Sequence, residues 1–291
     1  MVARLARRSL LSAAAALALL APGARALDYP TRPVHWIPPG GGANIATEYV
    51  VRAAPDGYTL PWGGVSNAIN TSLFSDLSFD FLKEIAPVSG LVAYPLVIEL
   101  DPKVPARTIA ELIALAKASP GRMMLASYGT GTISQVAGEL FKMRAGIELV
   151  HIPYKGGAPL LTDLLSGQVE AANVVASDLP HMRTGAVRPL AVLSAKRIDA
   201  LPDVPALTQT FAGYEAVAFA GTGAPRGTPP AIVARLNRDV NACLVDEGIK
   251  KRIDDLTVLP LVYTPDAFGA YLAAETEKWA KVIKAASIKV K

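Results

Sequence analysis

Small hydroxyl residues and glycines gather at four points in this sequence, in patterns suited to gripping an anion. Residues 38–44, "PPGGGAN", set Gly40, Gly41 and Gly42 between an apolar run and an amphipathic one. Residues 63–70, "GGVSNAIN", supply Ser66 and Asn67. Residues 127–134, "SYGTGTIS", supply Ser127, Thr130 and Thr132, with Gly129 and Gly131 allowing close approach to the backbone. Residues 151–159, "HIPYKGGAP", add Tyr154 as an aromatic wall and Lys155 as a surface cation. A loop joining a strand to a helix offers unpaired backbone N–H groups and the positive end of a helix dipole, which suits a carboxylate.

Reaction chemistry is thin by comparison. The opening glycines carry no Gly-Lys-Ser/Thr and no G-x-G-x-x-G, so neither a P-loop nor a dinucleotide fingerprint is present. His35, His151 and His181 are scattered and none has metal-ligand spacing such as H-E-x-x-H. There is no G-x-S-x-G elbow. Cys243 sits in an apolar helical pattern and reads as a small core residue, and Asp163 as a surface or capping acid. No nucleophile stands beside a base, so no catalytic residue, metal or cofactor is assigned and the chain reads as a non-enzyme.

The elements that must position these loops follow from periodicity. Segment 34–38 reads as a strand, 45–54 as a helix by the spacing of Ile45, Tyr49, Val50 and Ala53, and 58–63 as a strand. Residues 108–118 open with a capping box, Thr108 and Glu111, and continue as a helix. Strands at 123–127, 148–152, 171–176 and 189–193 alternate with helices at 134–144 and 158–166, which predicts a mostly parallel sheet with flanking helices. The last third, with helices at 229–245, 247–256 and 264–286, has no accompanying series of strands. Those helices must cover a sheet that the chain left and rejoined, with 94–100 and 216–225 as the crossings. The expected organisation is a discontinuous first lobe, 27–100 and 225–291, and an inserted second lobe, 101–224, hinged on two strands.

Residues 1–26 are set apart. Arg4, Arg7 and Arg8 precede an apolar stretch, Pro22 and Gly23 break it, and Ala24–Ala26 ends it with a small-x-small site, as in a secretory signal peptide cleaved near Ala26. "ARRSLLS" also resembles a twin-arginine signal, and the Sec route stays equally open. The leader removes four arginines and no acid, so the 29 basic and 25 acidic residues of the whole become balanced. A neutral protein has no electrostatic footprint for nucleic acid. Cys243 is the only cysteine, so no intrachain disulfide forms.

The sequence resembles the Bug-type extracytoplasmic solute receptors of tripartite tricarboxylate transporters. The likeness rests on "AAPDGYTL" (53–60), "SNAINTSLF" (66–74), "APVSGLVAYPLVI" (86–98), "SYGTGTISQVAGELF" (127–141), "HIPYKGGAPLLTDLLSGQVE" (151–170) and "LPDVPALTQTFAGYEA" (201–216). It implies a two-lobed type II periplasmic-binding-protein-like α/β fold closing on a small carboxylate, and a monomer that delivers solute to membrane permease subunits. The binding positions it implies are Gly40–Gly42, Ser66, Asn67, Ser127 and Gly129–Thr132; family members often carry histidine where Asn67 stands. In the family, "PPGG" leads into a long helix, a strand and a separate glycine loop. Here "IPPGG" runs straight into "GANIATEYVVRAA", so a unit on the order of thirty residues is missing. The first lobe is therefore expected to lack one helix and one strand, with an exposed sheet edge as one outcome. Alternatives to a transport receptor are a sensor or degenerate receptor with impaired binding, and an exported hydrolase or isomerase.

Overall fold

The computed structural model describes residues 28–38, 43–175 and 178–290. The expected leader and the glycines Gly40, Gly41 and Gly42 lie outside the described residues. Contacts divide the chain into Met1–Pro33 and Val34–Lys291, and all the strands and helices described here lie in the second unit.

The order is β1 (His35–Ile37), α1 (Asn44–Val51), β2 (Thr59–Gly64), α2 (Val65–Leu73), α3 (Phe81–Glu84) and a long strand β3 (Ile85–Leu100). Then come α4 (Ile109–Ala118), β4 (Met124–Ser127), α5 (Ile133–Ala145), β5 (Val150–Pro153), α6 (Gly157–Ser166), β6 (Ala171–Val175), α7 (Leu179–Arg183) and β7 (Arg188–Val192). β8 (Val217–Pro225), α8 (Pro230–Leu244), α9 (Glu247–Asp255), β9 (Leu259–Pro260) and α10 (Pro265–Ala285) complete the order.

β3 belongs to two sheets. Its stretch from Ile85 to Pro95 pairs antiparallel with β8, β8 pairs with β2, and β2 runs parallel to β1. From Leu96 to Leu100 it pairs antiparallel with β6 and β7, while β4 runs parallel to both β6 and β5. The chain changes sheet between Pro95 and Leu96. It returns at Ala216, whose N–H donates to Leu193 O at 2.8 Å, one residue before Val217 pairs with Pro95. Both points fall inside the crossings expected from sequence.

The expectation of mostly parallel sheets is corrected: the pairing is mixed. The outgoing strand β3 and the return strand β8 must run in opposite directions, and each sheet is built around one or both of them. Only β1–β2, β4–β5 and β4–β6 are parallel ladders among the described residues.

Alternation along β3 sorts its side chains. Leu96, Ile98 and Leu100 enter one buried cluster, while Val97 enters another on the opposite face. The first cluster runs without a break from Val50 and Ile69 through Leu112 and Phe141 to Trp279 and Val282 of α10, so one apolar core crosses both lobes. α10 packs against α2 in the first lobe and α5 in the second.

Two local expectations change, and a third is met. α1 forms where the spacing places it, but it buries Ala46, Thr47 and Val50 and leaves Ile45 and Tyr49 exposed. Close packing on β2 and β8 selects the small residues and the hydrogen bond of Thr47, not the larger apolar pair. Cys243 is exposed: α8 buries Leu236 and Leu244, and nothing covers Cys243 near the end of the helix among the described residues. Among the described residues β1 is the terminal strand of its sheet, and Trp36, Trp62, Ile45 and Tyr49 are exposed around it. That is the exposed edge and apolar surface expected of a first lobe lacking a strand.

Candidate functional site

The first-lobe half of the site forms where β2 runs directly into α2. Asn67 Oδ1 accepts from Gly64 N at 2.9 Å, and its Nδ2 donates to Thr47 Oγ1 at 2.7 Å. Thr47 Oγ1 donates on to Ala43 O at 2.8 Å, and Asn70 Nδ2 donates to Asn44 Oδ1 at 2.7 Å. These bonds tie the start of α2 to the start of α1. Asn67 is 2% exposed, so its amide is spent on structure. Ser66 is half-buried, and its hydroxyl has no hydrogen-bond partner among the described residues. It lines a cavity of about 90 Å³ with Ala43, Trp62, Gly63, Gly64 and Asn67. First-turn N–H groups of a helix have no intrahelical acceptor, so the start of α2 supplies further donors. A single water needs about 10–15 Å³ of such space, so the cavity has room for a carboxylate group.

The second-lobe half is the loop from β4 to α5. Thr132 caps α5, accepting from Gln135 N at 3.4 Å and donating to Gly129 O at 2.7 Å. Ser127 Oγ lies 2.7 Å from His151 Nε2 and accepts from Gly129 N at 3.2 Å. Gly131 N donates to Gln135 Oε1 at 2.7 Å, and Gln135 Nε2 lies 3.2 Å from His151 Nδ1. Gly131 has φ 78°, which favours glycine, and a Cβ there would meet the Leu73 side chain at the end of α2. Thr130 is exposed, and neither its hydroxyl nor its N–H has a partner among the described residues. Tyr154 N donates to Ser127 O at 2.9 Å, and its hydroxyl donates to Asp163 Oδ2 at 2.7 Å. Asp163 thus anchors the tyrosine ring.

Electrostatics follow from burial. The His151 imidazolium is disfavoured mainly by desolvation, with Glu139 opposing and Lys142 adding to it, so its pKa lies below the ordinary value. Burial, then the bond to Asp163, pushes the Tyr154 phenol up to about 12. Glu99, on the face of β3 that carries Val97, is pushed up to about 8 by burial and by Asp178. Among the described residues neither Glu99 carboxyl oxygen has a hydrogen-bond partner.

The sequence-derived positions thus separate by role. Ser66 and Thr130 present unspent groups, one in each lobe. Asn67, Ser127, Gly129, Gly131, Thr132 and Tyr154 are engaged with one another or with supporting residues. The loop meets α2 at Leu73, seven residues or about 10 Å along the helix from Ser66. Thr47 in the first half, and Gln135 and His151 in the second, are supports that the motif reading did not assign. His151 lies 24 residues from Ser127, and only the parallel pairing of β4 with β5 brings them together. The expectation that no serine stands beside a base is therefore corrected, although Ser127 is 1% exposed. Among the described residues no group of His, Cys, Asp or Glu could hold a metal ion, and no helix is long and apolar enough to cross a membrane.

Comparison with known proteins agrees with this architecture. BugT of Bordetella pertussis is 34% identical over 257 residues, covering 87% of this chain and 78% of that protein. A protein of Bordetella bronchiseptica is 30% identical over 316 residues, covering 97% of this chain and 94% of its own length. That alignment is longer than the 291 residues here, so the relative carries positions that this chain skips. Among solved structures, Rpa4515 of R. palustris with adipate has a TM-score of 0.78 at 29% identity, covering 90% of this chain and 99% of that one. MatC of Rhodopseudomonas palustris with bound malate has a TM-score of 0.71 at 27% identity, covering 84% and 85%. Residues 37–288 match the model of the tripartite tricarboxylate transporter family receptor, and the chain belongs to that family.

Proposed function

We propose that this chain is an exported receptor that captures a small dicarboxylate and presents it to the membrane permease of a tripartite tricarboxylate transporter. The observation that carries the reading is the uncharged cavity at the start of α2, where Ser66 and first-turn amides offer donors and no lining residue is charged. Hydrogen bonds to a charged group contribute about 1.5–3 kcal/mol each, so a few such donors hold a carboxylate without a cation. The homologous receptors solved with adipate and with malate support a dicarboxylate. In this reading Thr130 meets the second carboxylate, and Gly40–Gly42, Ser127, Gly129, Gly131, Thr132 and Tyr154 shape the walls. The lobes 27–100 with 225–291 and 101–224 close about the two crossings, favoured by a ligand that touches both. The protein works as a monomer in the periplasm after cleavage near Ala26, without cofactor and without binding nucleic acid.

A hydrolase is disfavoured by the direction of the bonds at His151. Gln135 Nε2 donates to Nδ1, so Nε2 carries the proton and donates to Ser127, where a general base would need a bare nitrogen.

Adipate, malate, citrate and acidic amino acids, each titrated against the mature protein by thermal shift, test the proposal. A binder raises the melting temperature in step with RT ln(1 + [L]/Kd). Ser66→Ala weakens that binding about tenfold, the equivalent of one charge-assisted bond, and leaves the ligand-free melting temperature unchanged. A flat response to every carboxylate favours the sensor or degenerate receptor instead.

A further inference from the structure

The hydrogen bonds behind the second-lobe loop form a chain with one possible direction. Gly131 N–H is a donor, so the oxygen of the Gln135 amide must face it, at 2.7 Å. The amide nitrogen then faces His151 Nδ1 at 3.2 Å and donates to it. Nδ1 is therefore bare, and Nε2 carries the proton and donates to Ser127 Oγ at 2.7 Å. The Ser127 hydrogen goes on to Gly129 O at 3.3 Å. The chain begins and ends on the backbone of the same loop, and Ser127 and Gln135 are both buried.

We propose that Gln135 and His151 are positioning residues of the solute site, which hold residues 129–132 in their binding shape only while His151 is neutral. The proposal rests on the reading that this loop meets the solute. A proton added at Nδ1 would point at the N–H of Gln135, donor against donor. Relief requires the amide to turn over, and that withdraws its oxygen from Gly131 N–H. Gly131, at φ 78°, then loses the bond that selects this conformation from the many open to glycine. The charged groups near His151 are Glu139 and Lys142 of α5, paired with each other at 2.8 Å and opposite in effect. β4 contributes none, and Tyr128 turns its hydroxyl to accept from Val175 N at 2.9 Å. Burial is left as the dominant influence, and it favours neutral imidazole.

Gln135→Glu separates positioning from packing. Glutamate has the same shape, accepts from Gly131 N–H with one oxygen, and welcomes a charged His151 with the other. The chain then works with the imidazolium, and acid no longer breaks it. Histidine-ring NMR on the ligand-free mature protein, and adipate calorimetry at about pH 7.5 and about pH 5.5, read the two levels. The wild type should show the Nε2-protonated tautomer of His151, and Gln135→Glu should titrate that ring at higher pH. Adipate affinity should fall on acidification at least about twofold more in the wild type than in Gln135→Glu, a ratio in which protonation of adipate itself cancels. An Nδ1-protonated tautomer, or parallel pH profiles in the two proteins, overturns the proposal. If neither protein binds adipate while the tautomer and the titration shift are as expected, the receptor reading fails and the hydrogen-bond chain stands.

Discussion

Burial of the Glu99 carboxyl should shape the pH range over which this fold is most stable. An unfolded glutamate releases its proton near the ordinary 4.5, but the buried one does so only near 8. Between those values the unfolded state binds fewer protons, so stability falls as pH rises and the loss is complete above about 8. Glu99→Gln is neutral at every pH and escapes this. Between about pH 5 and about pH 8 the wild type should lose about 3–4 kcal/mol more unfolding free energy than the variant, measured by urea denaturation at each pH. Equal losses would show that Glu99 is already ionised at neutral pH. The same scale limits how much of the site is legible in sequence. Ser66 and Asn67 are adjacent polar residues in one motif, yet one hydroxyl lines the cavity unspent and the other side chain is consumed by Gly64 and Thr47. Adjacent helix positions point about 100° apart, and only the neighbours decide which faces the ligand.

At the scale of the element, local chemistry was often sufficient. Thr108 accepts from Glu111 N at 3.2 Å, as the capping box requires, and Glu111 reaches back to Arg107 N at 2.6 Å, one residue before the cap. Thr108→Ala should therefore cost about 1 kcal/mol, seen as a lower urea midpoint with an unchanged slope. A neutral result would mean that packing of Ile109, Leu112 and Ala116 alone holds α4. α2 was not visible in the same way. Val65, Ser66, Asn67, Asn70 and Thr71 are indifferent helix formers, and burial of Ala68 and Ile69 with the Asn67 bond to Gly64 makes the helix. α1 shows the complementary failure: the helix was legible, but its buried face was set by what β2 and β8 could accept.

For the whole molecule, one apolar cluster joins the lobes through α2, α5 and α10. The mature protein should therefore unfold in a single calorimetric transition with matching calorimetric and van't Hoff enthalpies. Trp279→Ala, which empties a fully buried site in α10, should destabilise that one transition by about 3–5 kcal/mol. Two resolved transitions would show that the lobes fold separately. Taken alone, the amino-acid sequence determined the alternating α/β elements, the two crossings, and the loops of hydroxyl and glycine residues. Each of these is written in neighbouring residues, through periodicity, capping and turn chemistry. Tertiary structure alone decided the mixed strand directions, the outward face of α1, the exposure of Cys243 and the link from Gly131 through Gln135 and His151 to Ser127. Those depend on which strands and helices become neighbours, and contacts between residues far apart in the chain leave no local pattern to read.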